Sequence, residues 1–216
     1  MTRQQAVLFD CDGVLVDSEA PLARIAAMAL RDFGIPAEPA DFAPFVGMGE
    51  DAYIGGVAAQ YGATFTMELK RHVYDKYIER CDEFVHPMPG IPELLRELRA
   101  ADWRLAMATS ADRVKAVANL RILGMEDRGF DAVVTGDDVL RKKPYPDIYL
   151  EAARRCGVAP GDAWVIEDAE SGIQAGKAAG MRVIGLTSTL PSARLTSAGA
   201  DAVVDRLDQV AGLLGL

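Results

Sequence analysis

The apolar pattern of the chain begins with a short continuous run and then takes on a helical period. Residues Ala6–Phe9 read AVLF and are followed at once by Asp10, which is typical of a strand buried on both faces. From Glu19 onward apolar residues recur on one side of successive turns, with a proline- and glycine-rich loop after the first helical stretch. This period predicts three helices and no strand, with the helices over residues 19–33, 50–61 and 67–84.

After residue 87 short apolar runs alternate with helical segments, which indicates parallel βαβ units. Strands are predicted over residues 104–108, 132–135, 163–166, 182–186 and 202–204. Helices are predicted over residues 92–101, 112–123, 146–156 and 171–179. The predicted fold class is α/β, a Rossmann-like doubly wound parallel sheet core with an inserted all-helical cap domain. The first strand belongs with this sheet, so the core takes residues 1–17 and 86–216 and the cap takes residues 18–85.

Composition and charge narrow the classes of partner. The chain has 216 residues, with 32 Asp and Glu against 23 Lys and Arg, and a net charge of −9. An acidic surface repels phosphate backbones and anionic lipids, so neither nucleic acid nor a membrane is expected as a partner. No run approaches the ~20 apolar residues of a membrane span, and the first apolar run is too short for a signal peptide. We therefore expect a cytoplasmic protein, whose oligomeric state the sequence leaves open, a monomer included.

Cysteine and histidine are too sparse to build a metal site. They are Cys11, Cys81, Cys156, His72 and His86. The cysteines include no CxxC pair, so neither a disulfide framework nor a thiolate zinc site is supported. Any metal would therefore need oxygen ligands, which favours a hard cation.

Polar side chains stand where four of the predicted strands end. They are Asp10 and Asp12 after the first strand, Thr109 and Ser110, which precede Ala111, after the second, Lys143 in the segment after the third, and Glu167 and Asp168 after the fourth. Because ligands bind at the carboxyl ends of the strands in an open parallel sheet, we expect these residues to lie together. Singly, each has a simpler explanation as a turn, a helix cap or a solvated charge. Because all of these residues are expected at one edge of the sheet, a shared binding site is favoured over these separate explanations.

The combination of groups indicates phosphoryl transfer. Several carboxylates in one place repel one another unless a cation is bound, and oxygen ligands beside phosphate favour Mg²⁺. Thr109 and Ser110 at a helix start offer hydroxyl and backbone N–H donors to an anion, and Lys143 adds a positive charge. A carboxylate nucleophile among such groups makes a phosphoryl-transfer site.

Four segments resemble, in order, the motifs of the haloacid dehalogenase-like hydrolase superfamily. They are DCDGVLVDS at 10–18, ATSA at 108–111, KKPYPDIYL at 142–150 and VIEDAESGIQAGKAAGM at 165–181. The chain looks most like the branch in which a helical cap follows the first motif, which includes β-phosphoglucomutase-like and phosphoglycolate phosphatase-like enzymes. The resemblance covers essentially the whole chain, and the ordered set is far more specific than a lone DxD.

The resemblance implies a role for each motif residue. Asp10 is implied to be the nucleophile that forms an aspartyl-phosphate, and Asp12 the general acid and then the general base. The implied phosphoryl-binding residues are Thr109, the backbone amide of Ser110, Ala111 and Lys143. The implied ligands of Mg²⁺ are Asp10, Asp168, the backbone carbonyl of Asp12 and, as a further ligand or a supporting group, Glu167. Family members often have glycine where Lys142 stands here, so either Lys142 or Lys143 could face the site. Lys143 is preferred because it directly precedes Pro144.

The Asp12 position and the cap determine the predicted reaction. Dehalogenases and phosphonoacetaldehyde hydrolases of the superfamily lack a carboxylate at this position, which favours phosphate-ester chemistry. β-Phosphoglucomutases carry His and Arg in the cap where this chain has Leu22 and Gly49. The prediction is therefore a Mg²⁺-dependent phosphatase of a small phosphorylated metabolite such as a sugar phosphate. A sugar phosphomutase is the alternative, followed by a noncatalytic regulator that binds phosphorylated ligands, and the cap loop 45–51 is expected to set substrate choice.

Overall fold

A computed structural model shows a parallel β-sheet with helices on both faces, and it describes residues 4–46, 49–125 and 129–216. The strands are β1 Ala6–Phe9, β2 Val16–Asp17, β3 His86–Pro87, β4 Arg104–Ala108, β5 Ala132–Val134, β6 Ala163–Glu167, β7 Arg182–Leu186 and β8 Ala202–Val204. The α-helices are α1 Glu19–Asp32, α2 Glu50–Gln60, α3 Met67–Phe84, α4 Ile91–Ala100, α5 Arg113–Ile122, α6 Asp147–Cys156, α7 Glu170–Ala178, α8 Ser192–Ala198 and α9 Val210–Leu214. Within these described ranges, no helix combines the length and the apolar character needed to cross a membrane.

The order of the strands places a binding crevice beside β1. The main sheet has six strands in the order β5-β4-β1-β6-β7-β8, and every pairing in it is parallel. The chain runs from β1 through β4 to β5 on one side, and then crosses to β6 on the other side of β1. Ligands bind in such sheets where the strand order reverses, at the carboxyl ends of the strands. The predicted doubly wound sheet is therefore confirmed.

Strand β1 is held in the middle of the molecule by apolar contacts on both faces. Val7 and Phe9 belong to the core that α4 and α5 help to build, and Leu8 belongs to the core of α6 and α7. All three side chains are fully buried, and each contributes about 1.5–3 kcal/mol by leaving water. This packing fixes the end of β1, and with it the position of Asp10.

Helices α1, α2 and α3 lie between two short strands that bring the chain back to its starting point. β2 and β3 pair antiparallel, with Val16 opposite Pro87, so the helical stretch leaves and rejoins the rest of the chain at neighbouring residues. α3 packs against α1 and also against α5, which follows β4. The helical stretch matches the insertion that the sequence predicts. The exact bounds of the two domains, a core of 1–17 and 86–216 and a cap of 18–85, stay a prediction.

The elements that the sequence pattern does not predict are short or have few buried residues. The loop predicted after α1 contains a 3₁₀ helix over Pro39–Phe45, in which Phe42 is the buried residue. Helices α8 and α9 likewise bury one residue each, Leu195 and Val210, so neither leaves an apolar stripe in the sequence. β2 and β3 have two residues each, which is too short for an alternating pattern.

Candidate active site

The strand ends meet at a cavity of about 460 Å³, a volume within the range of small-molecule sites. The cavity lies at the carboxyl ends of β1, β4 and β6, and residues of α1, α2 and the segment between them line its other side. It brings together every residue that the sequence predicts for the site: Asp10, Asp12, Thr109, Ser110, Ala111, Lys143, Glu167 and Asp168.

The loop after β1 turns back sharply and lies against the end of β6. The backbone N–H of Asp10 donates to the carbonyl of Ile166 at 3.0 Å, which extends the pairing of the two strands. Gly13 has φ of +75°, and a Cβ built on it would lie 2.0 Å from Oδ2 of Asp168. Only glycine fits there, because a side chain would both strain the backbone and displace the Asp168 carboxylate.

Lys143 holds the carboxylates of two different strands. Its ammonium group contacts Oδ1 of Asp10 and donates to Oε1 of Glu167 at 2.6 Å. Burial opposes its charge, but the negative charges of Asp10 and Glu167 outweigh burial and raise the pKa of Lys143. The neighbouring Lys142 turns instead to Asp112, with 3.1 Å between Nζ and Oδ1.

Three buried carboxylates at this corner form a candidate cation site. One oxygen from each of Asp10, Glu167 and Asp168 lies within 4.8 Å of the others. Burial and the charges of Glu167 and Asp12 raise the pKa of Asp10 to about 7, although Lys143 acts in the opposite direction. Burial and the same kind of repulsion, from Glu167 and Asp10, raise the pKa of Asp168 well above its usual value. An oxygen-only cluster of this kind suits Mg²⁺, whose charge would relieve the repulsion.

Both carboxylate oxygens of Glu167 accept hydrogen bonds from other groups of the protein. Oε1 accepts from Lys143 and from the Tyr149 hydroxyl at 2.7 Å. Oε2 accepts from the backbone N–H groups of Asp168 and Ala169 at 3.1 and 3.2 Å. Both oxygens are thus in use, so Glu167 is better suited to holding Lys143 and Tyr149 than to binding a cation directly.

The loop after β4 provides hydroxyl groups at the opposite side of the cluster. Oγ1 of Thr109 accepts from the backbone N–H of Ala111 at 3.1 Å, and the Thr109 side chain is buried. Oγ of Ser110 is buried and, among the described residues, has no hydrogen-bond partner. The predicted hydroxyl pair is therefore in the cavity, and both hydroxyl groups can donate to a ligand, since Thr109 only accepts in its bond with Ala111.

Asp12 is held by residues that the sequence analysis did not single out. Its carboxylate accepts from Lys115 at 2.9 Å and from the hydroxyl of Ser18, and Asn119 lies within 3.4 Å. Burial would raise the pKa of Asp12, but the Lys115 charge and these hydrogen bonds lower it overall. Lys115 is only 3% exposed, an unusual burial for a lysine. The sequence does contain a signal for this role: Lys115 and Asn119 are polar residues four positions apart on the otherwise apolar face of α5, so both side chains point to the same side of the helix.

The wall opposite the strands includes two carboxylates and a tyrosine. Glu19 begins α1, whereas Glu50 and Tyr53 belong to α2, which begins after Gly49 at φ of +87°. Burial raises the pKa of both glutamates. Of the predicted loop 45–51, Phe45, Val46, Gly49 and Glu50 line the cavity, while Gly47 and Met48 lie outside the described residues.

Comparison with known proteins identifies the family. The family model for haloacid dehalogenase-like hydrolases matches residues 4–180. Over 96% of its length the chain is 38% identical to Protein SUPPRESSOR OF QUENCHING 1 of Arabidopsis thaliana, of which it spans 20%. It is 33% identical to the Phosphorylated carbohydrates phosphatase of Thermotoga maritima, over 93% of this chain and 94% of that protein.

A solved structure is also similar over nearly the whole chain. The crystal structure of CbbY from Rhodobacter sphaeroides in complex with phosphate matches with a TM-score of 0.83 and 27% identity, over 99% of each chain. The resemblance seen in the four sequence motifs is thereby confirmed, and the chain belongs to the haloacid dehalogenase-like hydrolase family of enzymes.

Proposed function

We propose that this chain is a Mg²⁺-dependent phosphatase that hydrolyses the phosphate ester of a small metabolite through an aspartyl-phosphate. The observation that carries the proposal is the placement of Asp10 at the end of β1, bound to Lys143 and within reach of Asp168. A buried carboxylate beside a cation site and a lysine is suited to attack a phosphoryl group whose charge those cations neutralise. The relative named as a phosphatase of phosphorylated carbohydrates supports the same reaction class.

In the first step an oxygen of Asp10 attacks phosphorus, and the bond from phosphorus to the ester oxygen breaks. Protonated Asp12 gives its proton to that departing oxygen, which leaves as an alcohol. Lys115 lowers the pKa of Asp12, and the approach of a negatively charged phosphate offsets this effect. Thr109 and the backbone amide of Ser110 would hold the phosphoryl oxygens.

In the second step the ionised Asp12 removes a proton from water, whose oxygen attacks phosphorus and releases Asp10 and inorganic phosphate. Asp10, Asp168 and the backbone carbonyl of Asp12 would hold Mg²⁺, with Glu167 supporting Lys143. Bound there, Mg²⁺ supplies positive charge to the nucleophile and to the phosphoryl oxygens. The helices of the proposed cap would close over the cavity and exclude water during the first step.

The proposed substrate is a small phosphorylated metabolite such as a sugar phosphate, and the proposed compartment is the cytoplasm. The three cysteines are buried and free, which suits a reducing compartment. The net charge of −9 argues against nucleic acid or an anionic membrane as a partner.

The test is phosphate release from sugar phosphates, phosphoglycolate, nucleotides and an aryl phosphate, with Mg²⁺ and with chelator. We expect Mg²⁺-dependent release by the wild type and a loss of at least about a thousandfold in Asp10→Asn, because the amide is not a nucleophile. Asp208→Asn is the matched control, since Asp208 is an exposed carboxylate that pairs with Arg206. Equal rates in chelator, or an active Asp10→Asn enzyme, would contradict the mechanism.

The alternatives correspond to other outcomes of the same assay. Conversion of β-glucose 1-phosphate to the 6-phosphate, without phosphate release, would identify a mutase. A folded protein that binds Mg²⁺ and shows neither activity would leave a noncatalytic regulator that binds phosphorylated ligands.

A further inference from the structure

We propose that the leaving group of the substrate is polyhydroxylated and carries no second negative charge. The inference rests on the proposed function, because it concerns the part of the cavity that remains once a phosphoryl group lies against Asp10. It names the substrate class as monophosphates of neutral polyols and sugars, and it excludes bisphosphates and phosphorylated sugar acids.

The first argument is the balance of charge in the cavity. Among the described residues that line it, six carboxylates face three lysines. The carboxylates are those of Asp10, Asp12, Glu19, Glu50, Glu167 and Asp168. With every carboxylate ionised, a bound Mg²⁺ would leave the wall negative by about one charge; with Asp12 protonated for the first step, the wall would still carry no excess positive charge.

The second argument is that each lysine already has a carboxylate partner. Lys143 binds Asp10 and Glu167, as described above. Lys115 lies 2.9 Å from Asp12 and 3.4 Å from Oε1 of Glu50. Lys142 is half-exposed and pairs with Asp112. Apart from the cations that would meet the transferred phosphoryl group, the described wall offers no unpaired positive charge to a second anion.

The third argument is the position of Glu19 and Glu50 on the side away from the strands. Both belong to the helical stretch between β2 and β3 and line the wall opposite the strand ends, where the leaving group would lie. Ionised or protonated, a glutamate supplies no positive charge. A carboxylate or second phosphate placed there would meet acidic side chains, whereas a hydroxyl group could donate a hydrogen bond to either of them.

The fourth argument comes from polar atoms without partners. The hydroxyl of Tyr53 is buried and unpartnered among the described residues, and the side chain as a whole is 5% exposed. Burial, followed by the charge of Glu19, raises the pKa of Tyr53, so the hydroxyl keeps its proton and can donate a hydrogen bond to a ligand. Oγ of Ser110 is also buried without a hydrogen-bond partner, and Oε1 of Glu50 has no hydrogen bond beside its ion pair with Lys115. A ligand with several hydroxyl groups, which both donate and accept, matches this mixed set.

The apolar part of the wall fits the carbon skeleton of such a ligand. Leu22, Phe45 and Val46 line the cavity beside the glutamates. Carbohydrate rings combine hydroxyl groups with apolar C–H faces, so a wall of alternating polar and apolar groups suits them.

The experiment compares substrates that differ only at the end away from the transferred phosphoryl group. Sorbitol 6-phosphate, an open-chain neutral polyol, is paired with 6-phosphogluconate, and fructose 6-phosphate with fructose 1,6-bisphosphate. We expect kcat/KM to favour the neutral member of each pair by at least about tenfold, a preference typical of one polar or charged contact. Glu19→Gln should narrow both preferences, because it removes one negative group that faces the leaving group.

A second variant tests the hydrogen bonds separately from the charge. Tyr53→Phe should lower kcat/KM for glucose 6-phosphate about tenfold while changing that for p-nitrophenyl phosphate less than about twofold, since this leaving group has no sugar hydroxyl to bind. Tyr61→Phe is the matched control, because the Tyr61 hydroxyl contacts Asp41 on the surface of the helical stretch.

The outcomes distinguish the inference from the function on which it rests. No phosphate release from any substrate would overturn both. Release that favours 6-phosphogluconate or the bisphosphate, or that is fastest with nucleotides, would overturn the inference alone. A Tyr53→Phe enzyme that loses the sugar phosphate and the aryl phosphate equally would also overturn it, since the tyrosine would then act on folding or chemistry.

Discussion

Lys115 is the residue whose role is least visible in the sequence and most consequential in the structure. It projects from α5 and is only 3% exposed, with its ammonium group bound to Asp12. A buried charge is costly unless it is paired, so the lysine and the aspartate stabilise one another. The lysine thereby fixes the direction of the proposed acid and base, and it also lowers the pKa of that carboxyl.

Replacing Lys115 with methionine should therefore change the pH dependence of the reaction. Without the positive charge, the pKa of Asp12 rises, so this carboxyl stays protonated to higher pH. The first step requires protonated Asp12, and the alkaline limb of kcat/KM against pH should move upward by about one unit or more. We also expect the maximum of kcat/KM over pH to fall about tenfold or more, because Asp12 loses a bond that positions it.

The control for this prediction is Lys76→Met. Lys76 lies on α3 and pairs with Asp32 away from the cavity, so its loss should leave the pH profile unchanged. If Lys115→Met folds normally by circular dichroism and keeps the wild-type profile, Lys115 does not act on Asp12.

Helix α7 shows how one element positions a side chain of another. Gly172 lies in its first turn, and a Cβ built there would come within 1.7 Å of Oε1 of Glu167. The close approach lets the end of β6 and the start of α7 enclose the Glu167 carboxylate, which in turn binds Lys143 and Tyr149. Glycine is thus needed at position 172 because the Glu167 carboxylate occupies the space of a Cβ, and not because of the backbone angles of Gly172.

Gly172→Ala should lower activity sharply because Glu167 must move. The displaced carboxylate can no longer hold Lys143 at Asp10, and a shift of about 1 Å at a reacting group can cost about a hundredfold in rate. Gly212→Ala in α9 is a matched control, since nothing lies within 4 Å of a Cβ built there and alanine should slightly stabilise the helix. Steady-state kinetics and urea unfolding of both variants provide the measurement. Full activity in Gly172→Ala would show that Glu167 has room to adapt.

At the scale of the whole molecule, the buried acidic cluster predicts that a bound cation stabilises the folded chain. Asp10, Glu167 and Asp168 come from two strand ends that are adjacent in the sheet, and their repulsion exists only in the folded chain. A cation that binds this cluster stabilises the folded state, because the unfolded chain does not hold the three carboxylates together.

We therefore expect Mg²⁺ to raise the thermal midpoint of unfolding and chelator to lower it. At a hundred times the dissociation constant the stabilisation is about 2.7 kcal/mol, which corresponds to roughly 5–10 °C for a chain of this size. Asp168→Asn should lose most of this increase, whereas the surface variant Asp208→Asn should retain it. Scanning calorimetry in Mg²⁺ and in chelator measures both. An increase of equal size in Asp168→Asn would place the cation elsewhere.

The sequence alone determined the fold class and the residues that end the strands. Short apolar runs and helical periods are local patterns, and they predicted β1, β4, β7 and α3 with the residues at which each begins and ends in the structure. The residues at the strand ends could be grouped without coordinates, because parallel strands all present their carboxyl ends at the same edge. Family motifs then added an implied role for each of them.

Only the tertiary structure decided which partner each site residue has. Lys115 donates to Asp12 across 103 positions of the chain, and the Thr189 hydroxyl donates to Asp168 across 21, so no local pattern relates these partners. The same holds for the wall of Glu19, Glu50 and Tyr53, whose approach to the strand ends depends on how α1 and α2 pack. Burial and pairing energies depend on neighbours in space, and the chain acquires those neighbours only when it folds.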